Sequence, residues 1–353
     1  MSFLKSLAAS VATATLLTAM PVQAAEPDLL WFKSTTDDMT EAGRYTKEGP
    51  WTFALVFPDL SNSWRVQAVE EARAAAEADA RIKELIVTNY RDDVAVIVSD
   101  MEDMIARGVD AIIIHTGQAG LIGDQVDAAN AKGIPVINFG DMDDEIAYPV
   151  QMWTGGAEYG KVGGAWLRET MGGKGRLWVL RGLAGHSEDN ARYDGLMSEI
   201  GDTDIEIVRE DFGLWSYEGS KSICESWVLS GDIADAMWSA GADMTRACID
   251  VFSELGMDVI PMTGEGNNGF LRQWDELGLD SVAASFPTSM FGVGLNAAAA
   301  LLEGESLNAR YWASPEPITN DNLAEYYVPE ANSNLWVPTT LSKERILELF
   351  PNN

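Results

Sequence analysis

Basic residues are scarce: 24 Lys and Arg stand against 55 Asp and Glu, a formal charge of −31 over 353 residues. A chain this acidic repels nucleic acid and anionic lipid surfaces, so neither is expected as a partner. Histidine is scarcer still. The two present, His115 and His186, do not share the HxxxH spacing that sets a metal between two turns of one helix. No serine has a glycine two residues away on each side, which removes the nucleophile elbow, and GEGNNGF lacks both the lysine and the GxGxxG register of a phosphate loop. No metal and no cofactor are therefore expected. One enzymatic route stays open: paired carboxylates for glycoside hydrolysis, because acids are plentiful and their separation is a property of the fold.

Long apolar runs are also missing after the first few residues. Residues 1–24 carry Lys5, an apolar stretch through Leu16 and Leu17, and the small-residue site Val22-Gln23-Ala24, the pattern of a cleavable export signal. Cleavage near Ala24 is expected. No cysteine adjoins that site to take a lipid, and no later run reaches the roughly 18 apolar residues needed to span a bilayer. An exported, unanchored protein follows, held most usefully in a periplasm.

What is present is a repeat of one unit: a short apolar run, a polar or aromatic loop, then an amphipathic helix. Trp51–Phe57 (WTFALVF) is the clearest run, followed by PDLSNSW and a helix over residues 65–80 with apolar positions at Val66, Val69, Ala72 and Ala76. Strand followed by helix makes a parallel sheet, whose ligands sit beyond the C-terminal strand ends. Further runs at 85–88, 111–115 and 134–139 complete one series. A second series runs through 176–180, 205–208, 234–239, 259–263 and 282–286. The expected fold class is α/β, with two doubly wound parallel-sheet lobes. Cys224 and Cys248 fall on the helices after two successive strands of the second series. In a doubly wound order those crossovers share a face, so a disulfide is geometrically possible, with two buried free thiols as the alternative.

The segments LVFPDLSNSW, GVDAIIIHTG, KGIPVINFGD, LRGLAGHSEDNARYDG, DFGLWSYEGSK and PMTGEGNNGF stand in the order, and near the spacing, of the ribose-binding type of periplasmic sugar-binding proteins of ABC importers. Over residues 51–318 the chain resembles that family. The resemblance implies three hinge segments joining the lobes, near 150–156, 284–288 and 311–318, and a small polar ligand clamped by hinge closure. It divides the chain into a signal (1–24), an irregular lead (25–50), an N-terminal lobe (51–152 plus 287–314), a C-terminal lobe (153–286 plus 315–328) and an extension (329–353).

Carried over residue by residue, Trp64 and Trp215 occupy the places where the family stacks a sugar face, one in each lobe. The polar ring departs from the pattern. Gly140 precedes Asp141 where an Asp is common, Asn190 stands for a ligand-forking Arg, and Gly241 and Gly266 replace side-chain acceptors. Lost bulk at the three glycines predicts a roomier cleft, with Asp141, Asn190, Glu265, Asn267 and Thr288 supplying polar contacts beside Asn62. His115 is expected to satisfy a loop backbone and Arg192 to make an ion pair within its lobe. The implied function is that of a monomeric solute receptor presenting a monosaccharide, sugar derivative or polyol to an ABC permease. Two alternatives are a receptor for a cationic amine in an aromatic, acidic box, and a secreted carbohydrate-processing enzyme.

Overall fold

The computed structural model describes residues 29–352 apart from 92, 117, 118, 141 and 154. The export signal and Asp141 therefore lie outside the described residues. Apolar runs become strands with both faces buried, as WTFALVF does, because helices cover each side of the sheet.

The first sheet contains β1 (Phe32–Ser34), β2 (Trp51–Phe57), β3 (Ile82–Asn89), β4 (Ala111–Thr116), β5 (Val136–Gly140) and β6 (Val150–Trp153). The second contains β7 (Lys174–Arg181), β8 (Asp204–Phe212), β9 (Ala236–Ser239), β10 (Met262–Glu265) and β11 (Ser281–Ala284). The chain then gives β12 (Arg310–Ala313) to the first and β13 (Ile318–Thr319) to the second. Spatial order is β1-β12-β6-β5-β4-β2-β3 in one and β13-β11-β10-β9-β7-β8 in the other. Both are doubly wound. Strand order reverses between β2 and β4 and between β7 and β9, which opens a crevice at the carboxyl ends of those strands.

Helices α1 (Ser63–Ala78), α2 (Val94–Arg107) and α3 (Gly123–Ala131) connect strands of the first sheet. Those of the second are joined by α5 (Ser187–Ile200), α6 (Tyr217–Leu229), α7 (Ala242–Glu254) and α8 (Asn268–Leu277), with α4 (Gly156–Thr170) leading into it. After β11 the chain returns to the first lobe as α9 (Met290–Leu302), which packs on α1, β4 and β5. Two short helices, α10 (Leu323–Tyr326) and α11 (Lys343–Leu349), lie in the tail. Ser342 caps α11 by accepting from the Arg345 amide at 3.2 Å.

Two segments are more regular than their composition predicts. Phe32–Ser34, within the lead expected to be irregular, pairs antiparallel with β12, and Val150–Trp153 pairs parallel with both β5 and β12 before the chain crosses. Phe32–Ser34 covers the sheet edge, whose backbone groups otherwise lack partners, and Val150–Trp153 is held between two neighbours.

Helices α4 and α5 pack so closely that a Cβ at Gly160 would collide with the Arg192 carbonyl and one at Gly195 with the Ala157 carbonyl. This close approach seats Arg192 beneath the cleft. Cys224 on α6 and Cys248 on α7 are bridged, with Cα atoms 5.3 Å apart, as crossovers sharing one face allow. A loop closed across 24 residues is worth about 3 kcal/mol by chain entropy. Replacing both cysteines with serine should therefore lower unfolding stability by that amount in urea titrations. Unchanged midpoints with and without reductant would show that the bridge adds nothing.

Candidate functional site

The loops after β2, β4, β7, β8 and β9 face one another across the two lobes. They border an open cleft of about 1460 Å³, at whose base lies a smaller cavity of about 170 Å³. Trp64 and Trp215 both line that cavity, one from each lobe, together with Trp153, Phe286 and Trp336.

Each indole is set by its N–H. Trp64 Nε1 donates to the Phe286 carbonyl at 2.8 Å, and its ring lies 5.2 Å from that of Phe286. Trp215 Nε1 donates to the Ala240 carbonyl at 3.0 Å, and the His186 ring meets it edge-on at 5.1 Å. Leu214 and Trp215 both adopt left-handed backbone, at φ 60° and 49°. Conformations of this kind cost on the order of 1 kcal/mol or more per residue for non-glycine residues. Amides of Gly213 and Leu214, bonded to the carbonyls of Arg181 and Gly182 at 2.8 and 2.9 Å, hold the turn that aims Trp215 at the cleft.

Beneath the aromatics sits a buried charge cluster. Arg192 donates through Nε to Glu188 at 2.8 Å, lies 3.5 Å from Glu265, and donates to the Ala240 carbonyl at 2.6 Å. Its guanidinium stands 3.9 Å from the Tyr159 ring centre and 4.9 Å from that of Phe286. The ion pair expected within one lobe is thus present. Arg65 pairs with Asp59, and Asp243 with Arg246 at 2.7 Å. Burial pushes the Glu265 carboxyl up to about 7, against the opposing pull of Arg192 and with the Glu188 charge adding to the rise. His115 is pushed down to about 4 by burial, with the positive charge of Arg65 contributing. Its Nδ1 lies 3.3 Å from the carbonyl of Phe139 within strand β5, so it meets strand backbone and not the loop expected, and the residue also lines the cavity.

Several expected contacts are used elsewhere. Asn62 lines the cavity and also caps α1, accepting from the Arg65 amide at 2.9 Å. Asn190 lies at the cleft mouth, where its Oδ1 accepts from Arg181 at 3.0 Å. Asn267 is fully buried as the cap of α8, accepting from the Gly269 amide at 2.9 Å and donating to the Ser333 carbonyl at 3.0 Å. Thr288 donates to Glu71 at 2.6 Å and accepts from Gln67 at 3.0 Å. Neither Asn267 nor Thr288 borders the cavity, because backbone and helix α1 have already claimed their polar atoms.

The glycines do not widen the cleft as expected. A Cβ at Gly140 (φ 131°) would collide with the Thr116 carbonyl, one at Gly241 with the Trp215 indole, and one at Gly266 with the Val337 carbonyl. Each gap is filled by a neighbour. Phe286, Trp153 and Trp336 were missed as wall residues. Phe286 ends an apolar run and reads as core, while Trp336 lies in a tail with no strand–loop–helix pattern to place it.

A family model described as a periplasmic binding protein domain matches residues 53–306. A xylitol-binding protein of Mycolicibacterium smegmatis is 27% identical over 256 residues, covering 70% of this chain and 71% of its own. Among solved structures, the periplasmic binding protein of an arabinose ABC transporter from Shewanella sp. ANA-3, bound to L-arabinofuranose, superposes with a TM-score of 0.68 at 22% identity. It covers 78% of this chain and 94% of that one. A solute-binding protein from Bacillus halodurans with bound myo-inositol gives 0.68 at 19% identity over 79% and 98%. At such identities these two structures establish the shared fold.

His115 and Glu265 act in opposite senses on stability. An unfolded chain protonates His115 near 6.5 while the folded one resists to about 4, so this group removes stability as pH falls through that window. Folded protein holds the Glu265 proton up to about 7 and unfolded protein only to 4.5, so this group removes stability as pH rises. In melting curves, His115→Gln should lose less stability than wild type on going from neutral to mildly acid buffer. Glu265→Gln should gain relative to wild type as pH rises from about 5 to 8. Parallel curves for either variant would contradict the assigned shift.

Proposed function

Because the chain belongs to the family of periplasmic binding protein domains, whose members bind solutes and are not enzymes, we propose that it is the monomeric receptor of an ABC importer. It captures one small neutral polyol, monosaccharide or sugar derivative between its lobes and delivers it to a membrane permease. Residues 1–24 would direct its export to the periplasm. Residues 51–152 plus 287–314 and 153–286 plus 315–328 would move as the two lobes.

One observation carries this reading. The cavity offers aromatic rings from both lobes, while among the described residues the charges around it are paired within their own lobes: Arg65 with Asp59, Arg192 with Glu188 and Glu265, and Asp243 with Arg246. Ring faces suit the C–H face of a polyol, and pre-paired charges demand no counter-ion from it. The contacts proposed are Trp64 and Trp215 for that face, with Asn62 and Glu265 for hydroxyls, and Asp141, which lies outside the described residues, as a further hydroxyl partner. Relatives that bind xylitol, arabinofuranose and myo-inositol fit this ligand class. A cationic amine would need a carboxylate without a partner, and among the described residues of the cavity Glu188 and Glu265 are engaged by Arg192 and Asp243 by Arg246.

A thermal-shift screen with neutral sugars, polyols, sugar acids and amines should give its largest rise in melting temperature with a neutral polyol or sugar, because a ligand of the folded state stabilises by mass action. Trp215→Ala should then cost about 2 to 4 kcal/mol of binding, as the loss of a buried aromatic anchor does. A dissociation constant unchanged by that substitution would remove Trp215 from the site. A response to amines alone, weakening with added salt, would replace the neutral ligand with a cation.

A further inference from the structure

We propose that the tail segment 332–341 is a strap joining the two lobes outside the three chain crossings, and that Trp336, which it carries, is the cavity wall that sets ligand size. The segment lies beyond residues 53–306, so the family match does not account for it.

Both lobes grip the strap at the same place. On the first-lobe side, the buried amide of Gln67 on α1 takes both peptide groups of Trp336. Its Oε1 accepts from the Trp336 amide and its Nε2 donates to the Trp336 carbonyl, each at 2.8 Å. Trp336 Nε1 donates to Ser63 on the same helix at 2.9 Å. Farther along, Thr339 and Thr340 donate their hydroxyls to Glu71 at 2.7 and 2.8 Å. On the second-lobe side, the Val337 amide donates to the Gly266 carbonyl at 2.7 Å and the Asn268 amide to the Leu335 carbonyl at 2.8 Å. A side chain at position 266 would displace the strap.

Two consequences follow. Lobe opening must break the Gln67–Trp336 pair, part the strap from the Gly266 carbonyl and the Asn268 amide, or turn about these bonds, so the strap limits the excursion of the hinge. Breaking the pair would cost the buried Gln67 Oε1 and the Trp336 peptide groups these bonds, while Gln67 Nε2 would keep Glu71 and Thr288, and that loss makes turning the cheaper course. Trp336 is only 7% exposed and lines the same cavity as Phe286, Trp64 and Trp215. An indole fixed at both its N–H and its peptide groups cannot swing aside for a larger ligand, so it acts against size as a rigid wall.

The size role rests on the polyol reading above, and the strap does not. Calorimetric titration with xylitol, D-ribose and myo-inositol should show Trp336→Ala binding the wild type's preferred probe at least ten-fold more weakly, with Trp336→Phe recovering most of the loss. Binding within two-fold of wild type in Trp336→Ala overturns the wall. Spin labels on Leu60→Cys and Leu183→Cys, exposed on opposite lips of the cleft, report lobe separation without any ligand. Gln67→Ala should broaden and lengthen that distance distribution, and an unchanged distribution overturns the strap. Should Gln67→Ala fail to fold, Thr340→Val, which removes one strap bond to Glu71, is read by the same distances. If wild type binds none of the three probes, the polyol reading falls and the size role with it, while the label distances still decide the strap.

Discussion

A buried carboxylate on the first helix organises the cleft. Glu71, 1% exposed, accepts from Gln67, Thr288, Thr339 and Thr340, so one side chain ties together helix α1, the second chain crossing and the tail. Taking a carboxylate out of water is tolerable only with such a set of donors, and removing one leaves the rest of the desolvation cost in place. The geometry around it is thereby narrowly constrained. Trp64, two turns earlier on α1, can reach the Phe286 carbonyl because Thr288 fixes the crossing against the same helix.

On the opposite lobe the Ala240 carbonyl has a similar part. It accepts from both Trp215 and Arg192, which couples the orientation of the aromatic wall to that of the buried guanidinium. Arg192 is in turn held by Glu188 and Glu265 and stacked on Tyr159. The cavity thus has charged groups whose demands are met from behind and aromatic faces whose demands are not. That division of labour suits recognition of neutral, hydroxylated molecules, where hydrogen bonds specify and ring faces supply area.

Much of the architecture was legible. The alternation of apolar runs and amphipathic helices depends on local periodicity, and the doubly wound order follows from right-handed crossovers, which is also why a bridge between Cys224 and Cys248 was within reach. The site was legible only in part. Trp64 and Trp215 line the cavity because they follow strand ends in a fold whose ligands bind there. Asn267 and Thr288 carried the same loop signal and went to a helix cap and to Glu71, since short polar side chains serve caps and ligands equally well. The three glycines misled for a related reason. An absent Cβ marks a close approach, and the sequence does not say whether ligand or protein does the approaching.

The sequence by itself determined the two-lobed α/β plan and the strongly acidic balance of charge, because strand and helix periods and net charge are sums over neighbouring residues. Tertiary structure alone decided which polar groups remain for a ligand and that a tail outside the repeat reaches the cavity through Trp336. Those outcomes depend on pairings such as Gln67 with Trp336, 269 residues apart in the chain. Each hydrogen-bonding atom has few places for partners, and only packing reveals which neighbours have filled them.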